Sequence, residues 1–229
     1  MSNKQRHRGK HPNDEKSFGA KFQPILKEAV SDLSYLLTHR YGEKSAVKIV
    51  GDRYQLNTRQ RLAMMRMSCS DQSLQIRAER HILPTNLKGK KITIDGYNLL
   101  ITIESALSDG TLLLSRDGCY RDLASIHGSY KRVEETIPAL ELIGQTLKEL
   151  AVDHIQWYLD KPVSNSGRLK AMMYELATQH HFNWDIELDF NPDKVLAESD
   201  AVVITSDGWI LDRAKAWTNL TAFLLERIR

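Results

Sequence analysis

Apolar residues recur at three- and four-residue spacing through Ile25, Leu26, Ala29, Val30, Leu33, Leu36 and Leu37, which predicts an amphipathic helix over residues 22–41. Gly42 is its expected stop. A short helix or turn over Ser45–Val50 and a helix from Thr58, taken as the N-cap, to Met67 complete a small helical domain over 22–68, with Met64, Met65 and Met67 read as core filler. Beyond residue 90 the pattern changes. Lys91–Asp95 and Ala201–Asp207 are β-branched runs ending in Asp-Gly, the composition of short buried strands closed by a tight turn.

Between these two runs, residues 134–150 carry a stripe of Ile137, Leu140, Ile143, Leu147 and Leu150 and predict a helix with Pro138 in its first turn. His154–Leu159 reads as a strand ending at Asp160, Leu169–Ala177 as a helix, and Trp184–Phe190 as an alternating strand. Asn191-Pro192-Asp193 opens a short helical segment; a helix over 210–217 and a strand over 220–225 end the chain. Such alternation predicts an α/β fold with a parallel sheet flanked by helices over 91–229, preceded by the all-α domain. Residues 1–21 read as a disordered basic arm and 69–90 as a linker punctuated by Pro84 and Gly89.

Charge sharpens that division. Residues 1–90 hold 18 Lys and Arg against 8 Asp and Glu, a balance of +10; residues 91–229 hold 14 against 21, a balance of −7. The basic part suits phosphates, through Lys4, Arg6, His7, Arg8, Lys10 and His11 in the arm and Arg59, Arg61 and Arg66 on the helix; the alternative is that the two parts dock on each other. No apolar run approaches the roughly 18–20 residues of a membrane span. No secretory signal stands at the start, and the two cysteines, Cys69 and Cys119, have no metal-finger spacing, so a reduced cytoplasmic compartment is expected.

Candidate chemistry lies at the strand ends. Asp95, Asp160 and Asp207 each terminate a strand, and Asp193 starts the short helix before the last of them. Open α/β sheets keep their sites at the carboxyl edge. Carboxylates converging there repel unless a cation neutralises them, and an all-oxygen donor set selects Mg2+ or Mn2+ over Zn2+. Asn98 either steers water or phosphate at that site or caps the following helix. Ser164-Asn165-Ser-Gly167 either binds phosphate or caps its helix. Asp117 and Asp122, in an insert over 108–130 that also carries His127 and Tyr130, pair with Arg116 and Arg121 or join the acids. No phosphate-binding glycine loop follows any strand.

Asp95-Gly-Tyr-Asn98 resembles the opening motif of PIN-like nucleases of the NYN branch. Asp193-Lys-Val-Leu and Val202-Val-Ile-Thr-Ser-Asp207 are similar to the later helix acid and strand-end acid of that superfamily, and Tyr158-Leu-Asp160 to its middle acid. The chain as a whole resembles an uncharacterised prokaryotic family (domain of unknown function 434) through Leu33–Leu37, Gly51–Leu56 and Pro162–Gly167. The resemblance implies a PIN-like domain over 91–229. Asp95, Asp160, Asp193 and Asp207 would serve as metal-holding catalytic residues, and the expected activity is metal-dependent hydrolysis of nucleic acid, RNA in the first place. Asn98, Asn165, Arg59, Arg61 and Arg66 are the expected substrate contacts. The rival readings are a non-catalytic nucleic-acid- or protein-binding protein on the same fold and a metal hydrolase of small phosphorylated molecules. A homodimer is left open.

Overall fold

A computed structural model describes residues 7–124 and 128–228; Lys4, Arg6 and His127 lie outside the described residues. Helices α1 (Asp14–Phe18), α2 (Gln23–Thr38), α3 (Glu43–Arg53), α4 (Thr58–Met67) and α5 (Asp71–Arg80) come first. A 3-10 turn at Pro84–Asn86 leads into β1 (Lys91–Asp95) and α6 (Gly96–Leu107). A hairpin of β2 (Leu112–Leu114) and β3 (Tyr120–Asp122) follows, then α7 (Thr136–Glu149), β4 (His154–Asp160), α8 (Ser166–His180), β5 (Trp184–Asp189) and α9 (Pro192–Ala197). The chain closes with β6 (Val202–Ile204), α10 (Gly208–Leu211) and α11 (Leu220–Ile228).

The main sheet is four parallel strands in the order β5-β4-β1-β6, with β1 between β4 and β6 and Ile94 paired to Trp157 on one side and Ile204 on the other. Strand alternation sends Ile155, Trp157 and Leu159 of β4, and Val202 and Ile204 of β6, into the larger core with α6, α7, α8 and α11. Val203 turns the other way, with Tyr158 against it, into a smaller core with Leu196, Ile210, Leu211, Ala214 and Trp217. Ile92 and Ile94 are wholly buried; burying a side chain of this size contributes about 1.5–3 kcal/mol.

Both Asp-Gly pairs differ from expectation: neither makes a turn. Each is a strand-to-helix junction, with α6 starting at Gly96 and α10 at Gly208. A Cβ on Gly96 would come within 2.7 Å of the Tyr158 carbonyl oxygen, so glycine is required where α6 leaves the sheet against β4.

Leu26, Ala29, Leu33, Ala46, Val50, Leu56 and Met64 form the helical core of the N-terminal half. Asn57, not Thr58, caps α4, in a reciprocal capping box with Gln60. Four segments depart from the sequence pattern, the first being the helix expected over 210–217, which ends at Leu211. The expected arm is structured over its described part: α1 is anchored by Asp14, 3% exposed, which accepts from Arg59, from the Thr111 hydroxyl and from the His11 amide. The expected linker contains α5, whose buried face is the guanidinium of Arg77 rather than an apolar stripe. Residues 220–225, expected as a strand, are the first turns of α11, where Leu220 and Leu224 share a buried face and Asn219 accepts from the Ala222 amide. A short apolar run carries no periodicity that separates the two states. No described helix is long and apolar enough to cross a membrane.

Candidate active site at the carboxyl edge of the sheet

Because β1 sits between β4 and β6, its last residue comes up between theirs. Asp95 is 8% exposed, and the Thr205 hydroxyl donates to its Oδ2 at 2.7 Å. Thr205 in turn accepts from the Asp207 amide at 3.0 Å, so one chain of hydrogen bonds joins the ends of the two neighbouring strands. Asp207 spends Oδ1 as the cap of α10, accepting from the amides of Trp209 (2.8 Å) and Ile210 (3.2 Å). Asp160 is half-buried at the end of β4, and Asp193 is exposed on the first turn of α9, whose cap is Asn191.

Two of the carboxyls, Asp95 and Asp193, feel the charges of their neighbours. Burial, then the charges of Asp207, Asp193 and Asp160, pushes Asp95 up to about 7, and the Thr205 hydrogen bond only partly opposes them. Desolvation, then the charges of Asp207 and Asp160, raises Asp193. Asp160 is raised by desolvation, against its own backbone amide. Among the described residues no cation pairs with any of the four. Equally, no three His, Cys, Asp or Glu side chains among the described residues stand close enough to enclose one ion.

A cleft of about 1080 Å³ opens at this edge, with Asp160, Asp207, Asn98 and Tyr97 on one wall and Arg66, Ser68 and Ser70 of the helical half on the other. Asn98 does not cap its helix: Oδ1 accepts from the amide (2.8 Å) and hydroxyl (2.9 Å) of Ser206. That bond sets the amide's orientation and leaves Nδ2 as a donor in the cleft. Tyr97 bonds through its hydroxyl to Ser166 Oγ at 2.7 Å, and Ser166 donates to the Asp160 carbonyl, so α6 also holds the β4 end.

The remaining expected substrate contacts are engaged within the protein. Arg59 is committed to Asp14 and to the Leu123 carbonyl, Arg61 to Asp52 and the Leu56 carbonyl, and only Arg66 reaches the cleft wall, where it also binds the Asp122 carbonyl. Asn165, the N-cap residue of α8 with φ +73, makes no side-chain cap hydrogen bond; it donates instead to the Tyr130 carbonyl at 2.9 Å, which ties the insert to the α8 entrance, and sits where Asn tolerates a left-handed backbone.

Sequence reasoning missed the clamp behind Asp207. Arg77 of α5 donates to Asp117 (2.5 Å), Asp212 (2.7 Å) and the Gly208 carbonyl (3.1 Å). Arg121 of the hairpin donates to both oxygens of Asp117 and to the Ser206 carbonyl at 2.7 Å. The two guanidiniums, joined by one buried carboxylate, therefore grip the residues on either side of Asp207. Burial alone would push Asp117 up, but the hydrogen bonds and charges of Arg121 and Arg77 hold it down at about 2. Of the expected partners, Asp117 takes Arg121; Arg116 goes instead to Asp71, and Asp122 accepts from Thr102. The readable signal was the Arg121/Asp117 spacing; nothing in the polar stretch 71–80 marks Arg77 as central.

Residues 84–223 match the family described as a domain of unknown function, DUF5616, and residues 25–80 match the protein of unknown function family DUF434. The chain belongs to the DUF5616 family, whose match spans the sheet half, and its helical half carries the DUF434 match. It is 31% identical over 190 residues to an uncharacterized protein of Methanocaldococcus jannaschii (MJ0935), an alignment covering 80% of this chain and 90% of that relative. No solved structure matches.

Proposed function

We propose that the protein is a PIN-like, metal-dependent nuclease that hydrolyses phosphodiester bonds of RNA at the carboxyl edge of its sheet. One observation carries the reading: Asp95 and Asp193 are raised by the charges of the neighbouring aspartates and Asp160 by burial, and no cation among the described residues pairs with them or with Asp207. An arrangement that costs the empty fold stability is kept where function requires it. The donor set fits Mg2+ or Mn2+, which take hard oxygens and keep several waters, so one or two direct carboxylates suffice and the others act through water. Asp95, Asp160, Asp193 and Asp207 would hold the ion. When bound, it supplies charge neutralisation and an activated water for in-line attack.

The protein's own residues set the geometry. Asn98 Nδ2 is placed to donate to a phosphate oxygen beside Asp207. Thr205 keeps Asp95 oriented, and the Arg77–Asp117–Arg121 clamp prevents the Asp207 junction from swinging away.

The test is Mn2+-dependent cleavage of single-stranded RNA by the wild type, Asp95→Asn and Asp207→Asn. Both substitutions spare the fold: Asn accepts from Thr205 at position 95 and is as good an N-cap as Asp at position 207. Each is expected to lower cleavage by more than the ten- to hundredfold typical of losing a residue that only supports a metal ligand. Equal activity in all three proteins contradicts the reading. Absence of cleavage by the wild type favours the rival, a non-catalytic binding protein on this fold.

A further inference from the structure

Most arginines facing the interior are paired with acids, so unpaired cations beside exposed aromatic rings stand out. Two such pairs flank the acidic edge. Trp209, in α10 just after Asp207, is 47% exposed, and the Arg213 guanidinium lies 4.1 Å over its ring. Phe190, one residue past β5, is 72% exposed, and the Lys161 ammonium lies 4.5 Å over its ring, next to Asp160. Neither Arg213 nor Lys161 forms an ion pair among the described residues. Trp209 and Arg213 also line the cleft.

Their placement is set by sheet order. β5 and β6 are the two edge strands, so Phe190 and Trp209 stand at opposite ends of the carboxyl edge, and the ends of β4 and β1, with Asp160 and Asp95, come between. Three strand intervals set the ends of β5 and β6 about 14 Å apart. A stacked single strand rises about 3.4 Å per nucleotide, so the distance corresponds to about four nucleotides, fewer if the strand is extended. An aromatic face accepts any base by stacking, and the adjacent cation meets the phosphate that the acids would repel.

We propose that Trp209/Arg213 and Phe190/Lys161 are two stacking platforms that hold a single-stranded nucleic acid across the aspartates, one base on each side of the bond to be cut. The proposal rests on the nuclease reading for its orientation, but it predicts binding independently of cleavage. A duplex, whose bases are already stacked on each other, offers no free face to either ring.

The experiment is a titration of full-length protein with fluorescein-labelled 12-nucleotide oligouridine, its deoxy counterpart, and a blunt RNA duplex of the same length. It is run at low salt with EDTA, so that no metal-dependent cleavage intervenes. Trp157, Trp184 and Trp217 are buried, so quenching of tryptophan emission by a stacked base reports on Trp209. The wild type is expected to bind both single strands with quenching and the duplex more weakly. Trp209→Ala is expected to lose the quenching and to weaken single-strand affinity at least about fivefold, the low end for a stacked base. Phe190→Ala should weaken affinity similarly with quenching retained, and Trp209→Tyr should restore most of it. Melting curves of each variant check the fold. Single-strand binding that survives both alanine substitutions overturns the platforms, as does a wild type that binds no single strand or that prefers duplex. If the platforms pass while Mn2+ produces no cleavage, the nuclease reading fails and the platforms stand. A preference between the ribo and deoxy strands identifies which nucleic acid the site takes.

Discussion

The helical half and the sheet edge treat charge in opposite ways. In and around the helical half, three arginines are turned inward and matched: Arg8 is nearly buried against a fully buried Glu104, Arg59 grips Asp14, and Arg77 joins Asp117 and Asp212. At the carboxyl edge, four negative groups are left without a cation. Part of the +10 balance of residues 1–90 is thus spent on internal struts, while Lys10, Lys16, Lys21, Lys27, Arg40, Lys44, Lys88 and Lys90 stay exposed outside any ion pair among the described residues, and a net charge counted along a sequence does not separate the two. Arg8 is the sharpest case. Expected in a free arm, it donates to Glu104 at 2.8 Å and to the Lys131 carbonyl and stacks over Tyr130, whose hydroxyl donates to the same Glu104.

The largest way to break the comparison is to remove a strut. Arg77→Ala leaves Asp117 buried with half its partners and should cost about 3–5 kcal/mol in urea unfolding, the penalty for orphaning a buried charge. Arg8→Ala should fall in the same range, because Glu104 has no exposure through which to recover solvent. A loss near zero for both would mean that these pairs are surface decoration, and the inward reading of the basic half would collapse.

Next in size is the opposite response to pH. Asp95 is raised to about 7 from the ordinary 3.8, so the folded state holds a proton that the unfolded state has released. Its ionisation removes stability as pH climbs from about 4 to 7, on the order of 1–4 kcal/mol. Asp117 is held at about 2, so its contribution is present above about 4 and disappears as pH falls toward 2. Unfolding free energies measured from pH 3 to 8 should thus show Asp95→Asn gaining on the wild type as pH rises, with no such gain for Asp117→Asn. Parallel curves for wild type and Asp95→Asn would show that the aspartates do not strain the fold.

The smallest effect concerns Arg66, the expected substrate arginine that lines the cleft. If it meets one phosphate of a single strand, Arg66→Ala should flatten the log–log salt dependence of binding by about 0.7. Arg59→Ala and Arg61→Ala should leave that slope unchanged and act on stability alone. Equal flattening by all three would return the basic helix to the nucleic-acid surface that its sequence suggests.

What was legible in the sequence follows from the same contrast. Apolar runs such as Ile92–Ile94 and Val202–Ile204 announce strands because each residue faces a core, and a strand's end announces its acid. Asp95 and Asp160 end the strands and Asp193 starts the short helix anticipated for them, whereas Asp207 lies three residues past β6 as the cap of α10. Polar packing leaves no such trace. α5 has the sequence of a linker because the group it buries is Arg77, and residues 7–18 have that of a free arm because their anchors are Arg8 and Asp14. Asn98 was singled out, yet its bond to Ser206 depends on two strand ends meeting across 108 residues of chain. Trp209 and Phe190 carry no pattern; their meaning comes only from standing at the two ends of one sheet.

The central claim is that the aspartates are left unpaired because a divalent ion completes them, and calorimetric titration of Mn2+ into wild type and Asp207→Asn, with melting in parallel, tests it most directly. The wild type should bind Mn2+ saturably and gain about 2.7 kcal/mol at a hundredfold excess over Kd, while Asp207→Asn binds weakly and gains little. No heat of binding and an unchanged melting temperature in the wild type would contradict the account.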